Sequence, residues 1–107
     1  MAFEVVLTED AERDIEELFR YIAEHDAPGR AESVLAAIQD VVLRLDELPE
    51  RGNVPKELRS LGIAGYRELH CKPYRIIYQI EGHRVFVHCV LDGRRDMQTL
   101  LYLRLMR

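Results

Sequence analysis

The side chains best able to do chemistry gather in the second half of the chain. Two dipeptides, His70-Cys71 and His88-Cys89, fall in apolar, strand-like stretches. Each sets a base beside a thiol, and in a suitable strand register His70 and His88 would share a face. Metal sites of the usual kind draw two ligands from one element through Cys-x-x-Cys or His-x-x-x-His spacing. Neither spacing occurs, so no metal and no cofactor is expected. The two cysteines are too few for a disulfide framework, and their apolar neighbours make them core thiols of a reducing compartment. The remaining chemistry is cationic. Arg67, Arg75, Arg94 and Arg95 each carry a rigid fork of N–H donors that suits a phosphate or a carboxylate. Read blandly, Arg67 and Arg75 pair at a surface with Glu68 and Glu81, Arg94-Arg95 is a solvated turn, and Asp96 caps a helix.

Charge is unevenly spread along the 107 residues. Residues 1–50 carry fourteen acids against four bases, and residues 51–107 carry eleven bases against five acids. Such a split points to one surface that meets an anionic partner and another that stays solvated. The net charge of −4 argues against tight, non-specific binding to nucleic acid, which rests on neutralising phosphates. No run of eighteen apolar residues is present, so no membrane span is expected. Met1–Thr8 lacks the basic start and apolar middle of a secretory signal, which makes a cytoplasmic protein the expectation.

These side chains need a scaffold, and the chain length leaves room for one domain, residues 1–107. A hydrophobic fraction of 48% supports a thin core. Residues 2–7 form an apolar strand ending at Thr8, which caps a helix whose first turn holds Glu9, Asp10 and Glu12. Ala11, Ile15, Leu18, Phe19 and Ile22 then recur at helical spacing. His25-Asp26 interrupts the pattern, and Pro28 suits the first turn of a second helix. Ala31, Val34, Leu35, Ile38, Val41, Val42, Leu45 and Leu48 make its stripe, and Pro49 ends it. The two helices form an antiparallel hairpin. Residues 49–65 hold two prolines and three glycines and form a loop with a short helical turn at Lys56–Leu61. Three strands follow, Tyr66–Cys71, Tyr74–Glu81 and Arg84–Leu91, separated by gaps of hairpin length. In the middle strand Tyr74, Ile76, Tyr78 and Ile80 share one face, with wet tyrosine hydroxyls, and Arg75, Ile77 and Gln79 the other. A last helix from about Asp96 carries Met97, Leu100, Leu101 and Leu105, and its apolar ending, through Arg107, calls for a partner. Strands and helices are segregated, so the class is α+β with an antiparallel three-stranded meander.

Three strings within this order carry a resemblance. They are Tyr66-Arg67-Glu68-Leu69, Tyr74-Arg75-Ile76-Ile77-Tyr78 and Val90-Leu91-Asp92-Gly93-Arg94-Arg95-Asp96. Over nearly its whole length the chain resembles the RelE/ParE family of toxins, the toxic half of bacterial toxin–antitoxin pairs. The resemblance implies one of two activities. RelE-like members cleave messenger RNA in the ribosomal A site; ParE-like members bind and poison DNA gyrase without catalytic residues.

For the ribonuclease branch the resemblance implies that Arg67, Arg75 and Arg95 converge on one phosphate. That branch's second basic position falls at Leu69, and its terminal tyrosine at Leu101, with Tyr102 one step away. Arginine holds its proton too firmly to act as a base, leaving His70, His88 or Tyr102 as possible substitutes. For the ParE-like branch, which the strings and the acidic helices favour, Arg67, Arg75, Arg94 and Arg95 are candidate contacts to gyrase. Both branches imply a cognate antitoxin whose helix lies in an apolar groove, with Leu18, Ile22, Leu35, Leu100, Leu101 and Leu105 as candidate contacts. Antitoxins of this kind bring their own DNA-binding domain, so no direct sequence-specific DNA binding by this chain is expected.

Overall fold

The computed structural model describes residues 2–106, so Arg107, the end of the apolar C-terminal string, lies outside it. Strand β1 (Glu4–Leu7) leads into α1 (Glu9–His25), α2 (Arg30–Leu43) and, after two 3-10 turns, the short α3 (Lys56–Ser60). Strands β2 (Tyr66–Cys71), β3 (Tyr74–Glu81) and β4 (Arg84–Asp92) follow, and α4 (Met97–Leu105) ends the fold. Local chemistry sets most of these boundaries. The Thr8 side chain accepts the Ala11 N–H at 3.1 Å, with Glu9, Asp10 and Glu12 in the first turn of α1. Asp96 does the same for α4, accepting the Thr99 N–H at 3.3 Å and the Thr99 hydroxyl at 2.8 Å, so its role is structural.

The sheet has four strands in the order β1-β4-β3-β2. The expected meander is its antiparallel part, and β1 joins the open side of β4 in parallel, Val5 opposite Val85. Alternation along β3 divides the core into two layers. Tyr74, Ile76 and Tyr78 meet Val85, Val87, Val90 and the inner stripe of the α1–α2 hairpin. Ile77 faces the other way, with Cys89, Leu91, Leu58 of α3, and Met97 and Leu101 of α4. A register shift at Ile77/Tyr78 makes His88 the extra residue of a bulge in β4, which lets Cys89 and Leu91 keep that second face.

The second helix is shorter than its apolar stripe predicts at both ends. It begins at Arg30 behind Gly29, whose φ of 83° is natural for glycine, and Pro28 lies in the preceding turn. It ends at Leu43, before a 3-10 turn at Arg44–Asp46. Leu45 is buried, but Leu48 leaves the stripe and stands 79% exposed. The Tyr78 hydroxyl also differs from expectation. It is fully buried, donates to the Pro49 carbonyl and accepts the Gly52 N–H at 3.1 Å.

Candidate target-binding surface

The four arginines singled out from the sequence take three different situations. Arg75 is 9% exposed. Its Nε donates to Glu68 Oε1 at 2.6 Å, while Nη1 and Nη2 grip the Glu57 carboxylate at 2.8 and 2.7 Å. Glu68, itself 3% exposed, is completed by Asn53 Nδ2 at 2.8 Å. Hydrogen bonding from Arg75 holds the Glu57 carboxyl below the usual carboxylate range, against the opposing push of burial. Arg75 in turn is held protonated more firmly than a free arginine. The group ties α3 to β2 and β3, and its donors are spent on protein carboxylates. That geometry makes Arg75 an internal fastener and leaves no fork for a phosphate or a partner protein.

Arg67 does not join it. The register places Arg67 opposite Tyr78, and Arg75 opposite His70. Side-chain alternation therefore sends the two arginines to opposite faces of the sheet. Arg67 donates from Nη1 to the carbonyls of Glu50 and Gly52, at 3.0 and 2.8 Å. The expected convergence of Arg67, Arg75 and Arg95 on one phosphate is overturned by this alternation. His70 lies beside the buried group, but its Nε2 is 3.7 Å from Glu68 Oε2, not next to a free cation. His88 is half-buried 3.3 Å from the Gln79 side chain, and burial lowers its pKa. Tyr102 is exposed on the outer side of α4.

Arg94 and Arg95 are presented outward on the turn after β4. Arg94 forks onto Asp92 at 3.0 and 2.7 Å. Arg95 is exposed and its side chain makes no hydrogen bond or ion pair among the described residues. Both line an open cavity of about 450 Å³ between this turn and α1, floored by Leu18, Val90 and Leu91. Tyr21 and Glu17 stand on its α1 side. Asp14, at its back, accepts the Val90 N–H at 3.0 Å and both terminal nitrogens of Arg104 at 2.9 and 3.0 Å. Arg104 also reaches the His88 carbonyl at 3.2 Å, so one part-buried pair locks α4 to α1 and β4. No spacing rule announces a pair ninety residues apart in sequence, and nothing in the chain distinguishes Glu57 from other helix acids; both were missed for that reason. Tyr21, stacked on His25 with centroids 4.2 Å apart, was missed because it falls off the apolar stripe of α1.

The apolar residues expected to meet an antitoxin divide by burial. Ile22 and Leu101, at 6% and 0% exposure, are core and offer no surface. Leu100 and Leu105 are half-buried against the second core layer. Leu18 floors the arginine cavity, and Leu35 lines an open groove of about 560 Å³ with Ile15, Phe19 and Ala23. The truly exposed apolar side of α4 is Tyr102 and Leu103, followed by Met106. Among the described residues no group of three His, Cys, Asp or Glu could hold a metal, and no helix is long and apolar enough to cross a membrane. Cys89 is fully buried and its thiol is pushed up to about 12 by burial, an inert core group.

Comparison with known proteins places this geometry in a family. Toxin ParE3 of Caulobacter vibrioides is 29% identical over 97 residues, covering 91% of this chain and 93% of its own. A chromosomal ParDE toxin–antitoxin structure from P. aeruginosa shares the fold with a TM-score of 0.70, at 15% identity over 83% of this chain and 94% of that one. Free E. coli toxin RelE, solved as a mutant, shares it with a TM-score of 0.64 at 17% identity over the whole of both chains. The family model of the ParE toxin of type II toxin–antitoxin systems (parDE) matches residues 5–97, and the chain belongs to that family.

Proposed function

We propose that this type II toxin acts by binding DNA gyrase and not by cutting messenger RNA. The observation that carries the reading is the dispersal of the arginines. Cleavage by a 2′-hydroxyl requires cations gathered over one phosphate and groups that move protons beside them. Here Arg75 is neutralised by Glu57 and Glu68, Arg67 lies on the other face, and Leu69 packs against the core on the α1–α2 side. An inhibitor that works by contact needs none of that machinery. It needs a rigid surface with exposed donors, and the Tyr21 cavity supplies one, with Arg95 unpaired among the described residues and Arg94 exposed on its Asp92 partner. No metal or cofactor enters this reading.

The antitoxin that accompanies such a toxin is proposed to lay an amphipathic helix in the Ile15–Phe19–Leu35 groove, whose acid and arginine rim suits a mixed-charge helix. DNA binding by the pair is assigned to the antitoxin, and the cytoplasm, where gyrase works, is the proposed location. Adding the purified toxin to a gyrase supercoiling assay tests the reading: supercoiling should fall, or cleaved DNA should accumulate. Undiminished supercoiling by a preparation that still arrests growth would remove gyrase as the target.

A further inference from the structure

We infer that Leu48 is an anchor by which this toxin seats itself in an apolar, basic-rimmed pocket of its protein target, an inference that rests on the toxin reading above. A lone exposed leucine is ordinary; this one is not. Its φ and ψ of 50° and 54° lie in the left-handed region that branched L side chains rarely adopt. It is also 79% exposed, so no packing of its own side chain holds it there. The backbone that follows is held instead. The buried Tyr78 hydroxyl bridges the Pro49 carbonyl and the Gly52 N–H, and Arg67 grips the carbonyls of Glu50 and Gly52. Gly52 has no room for a Cβ, which would collide with the Tyr78 hydroxyl and the Glu68 carbonyl. A strained residue persists only where its surroundings over-determine it, and such strain marks sites of function. A side chain held in place before contact loses little entropy when it enters a pocket.

Charge selects the partner. Asp46, Glu47 and Glu50 flank the leucine, all exposed and free of ion pairs among the described residues. Of the nearby bases, Arg44 is paired with Asp40, Arg67 is spent on the loop's carbonyls, and Arg51 stands exposed. Around Leu48 the exposed side chains thus carry a surplus of carboxylate, which disfavours a phosphate backbone as the occupant. That surplus complements an apolar cleft edged by lysine or arginine on a protein.

The test compares Leu48→Gly and Leu48→Met with the wild-type toxin for growth arrest at equal soluble level, inhibition of gyrase supercoiling, and thermal melting. Leu48→Gly relieves the left-handed strain, so its Tm should equal or exceed that of the wild type. Losing a buried leucine anchor should weaken growth arrest by about tenfold or more, while Leu48→Met keeps the activity. Undiminished arrest by Leu48→Gly overturns the inference, as does a lowered Tm, which would make Leu48 a structural residue. If the wild type arrests growth without touching supercoiling, gyrase is the wrong target, yet the Leu48→Gly contrast in cells still decides whether Leu48 is the anchor.

Discussion

Replacing Arg75 by alanine should unfold much of what the fold depends on, and the size of the effect can be worked from its partners. The substitution removes one bond to Glu68, a carboxylate 3% exposed, and both bonds to Glu57. Breaking a buried pair by removing one member costs about 3–5 kcal/mol, because the buried charge left behind loses its counter-charge; Glu68 would keep only the neutral Asn53 amide and a distant His70. A domain of this size has a total stability of roughly 5–15 kcal/mol, so the variant should lose a large share of it. Its Tm should fall by more than about 10 °C. Adding Glu57→Gln and Glu68→Gln in the Arg75→Ala background should recover part of the loss, since the orphaned charges are then gone. By contrast, Arg95→Ala removes an exposed fork without an internal partner, and its stability should stay within about 0.5 kcal/mol of the wild type. Thermal and urea denaturation of the purified variants read this directly. An Arg75→Ala protein that melts within about 2 °C of the wild type would refute the reasoning. The practical consequence is that loss of toxicity in Arg75→Ala is no evidence for catalysis.

Further outcomes follow from the same geometry. Tyr78→Phe strips the partners from the Pro49 carbonyl and the Gly52 N–H and should cost about 1–3 kcal/mol in urea denaturation; an unchanged midpoint would show that the hydroxyl does not pin the loop. Because the Glu57 carboxyl is depressed in the folded state by Arg75, its contribution is complete above the ordinary carboxylate range and is lost as pH falls through the depressed value. Glu57→Gln should therefore flatten the acid side of the stability profile, and identical slopes below about pH 5 would contradict the pairing. Cys89, buried and with its thiol near 12, should resist alkylation at neutral pH until the protein is unfolded, while half-buried Cys71 reacts sooner; equal rates in the native protein would argue against the packed second core layer.

Much of the fold was legible because it is local. Thr8 and Asp96 announce their helices through short-range capping, and the alternation of Tyr74 through Ile80 gives β3 its two faces. The parallel seat of β1 on β4 was not legible, since a four-residue apolar strand specifies no neighbour. The exit of Leu48 from the α2 stripe was hidden for a related reason. Spacing alone continues the helix to Pro49, whereas the tertiary bonds from Tyr78 and Arg67 determine where the chain turns. The site fared least well. Arg94 and Arg95 are exposed, as either a solvated turn or a contact surface would have them. The arginine type misleads at Arg75, because only the folded chain brings Glu57 to it. Leu101 and Ile22 were likewise apolar for the core and not for a partner.

The most direct test of binding without catalysis is to sediment the purified toxin together with gyrase and, in parallel, to map message ends by primer extension in a translation reaction. A toxin that works by binding gyrase gives a toxin–gyrase complex of fixed stoichiometry and leaves messages intact. Free toxin in the first experiment, with codon-proximal cuts in the second, would contradict that mechanism.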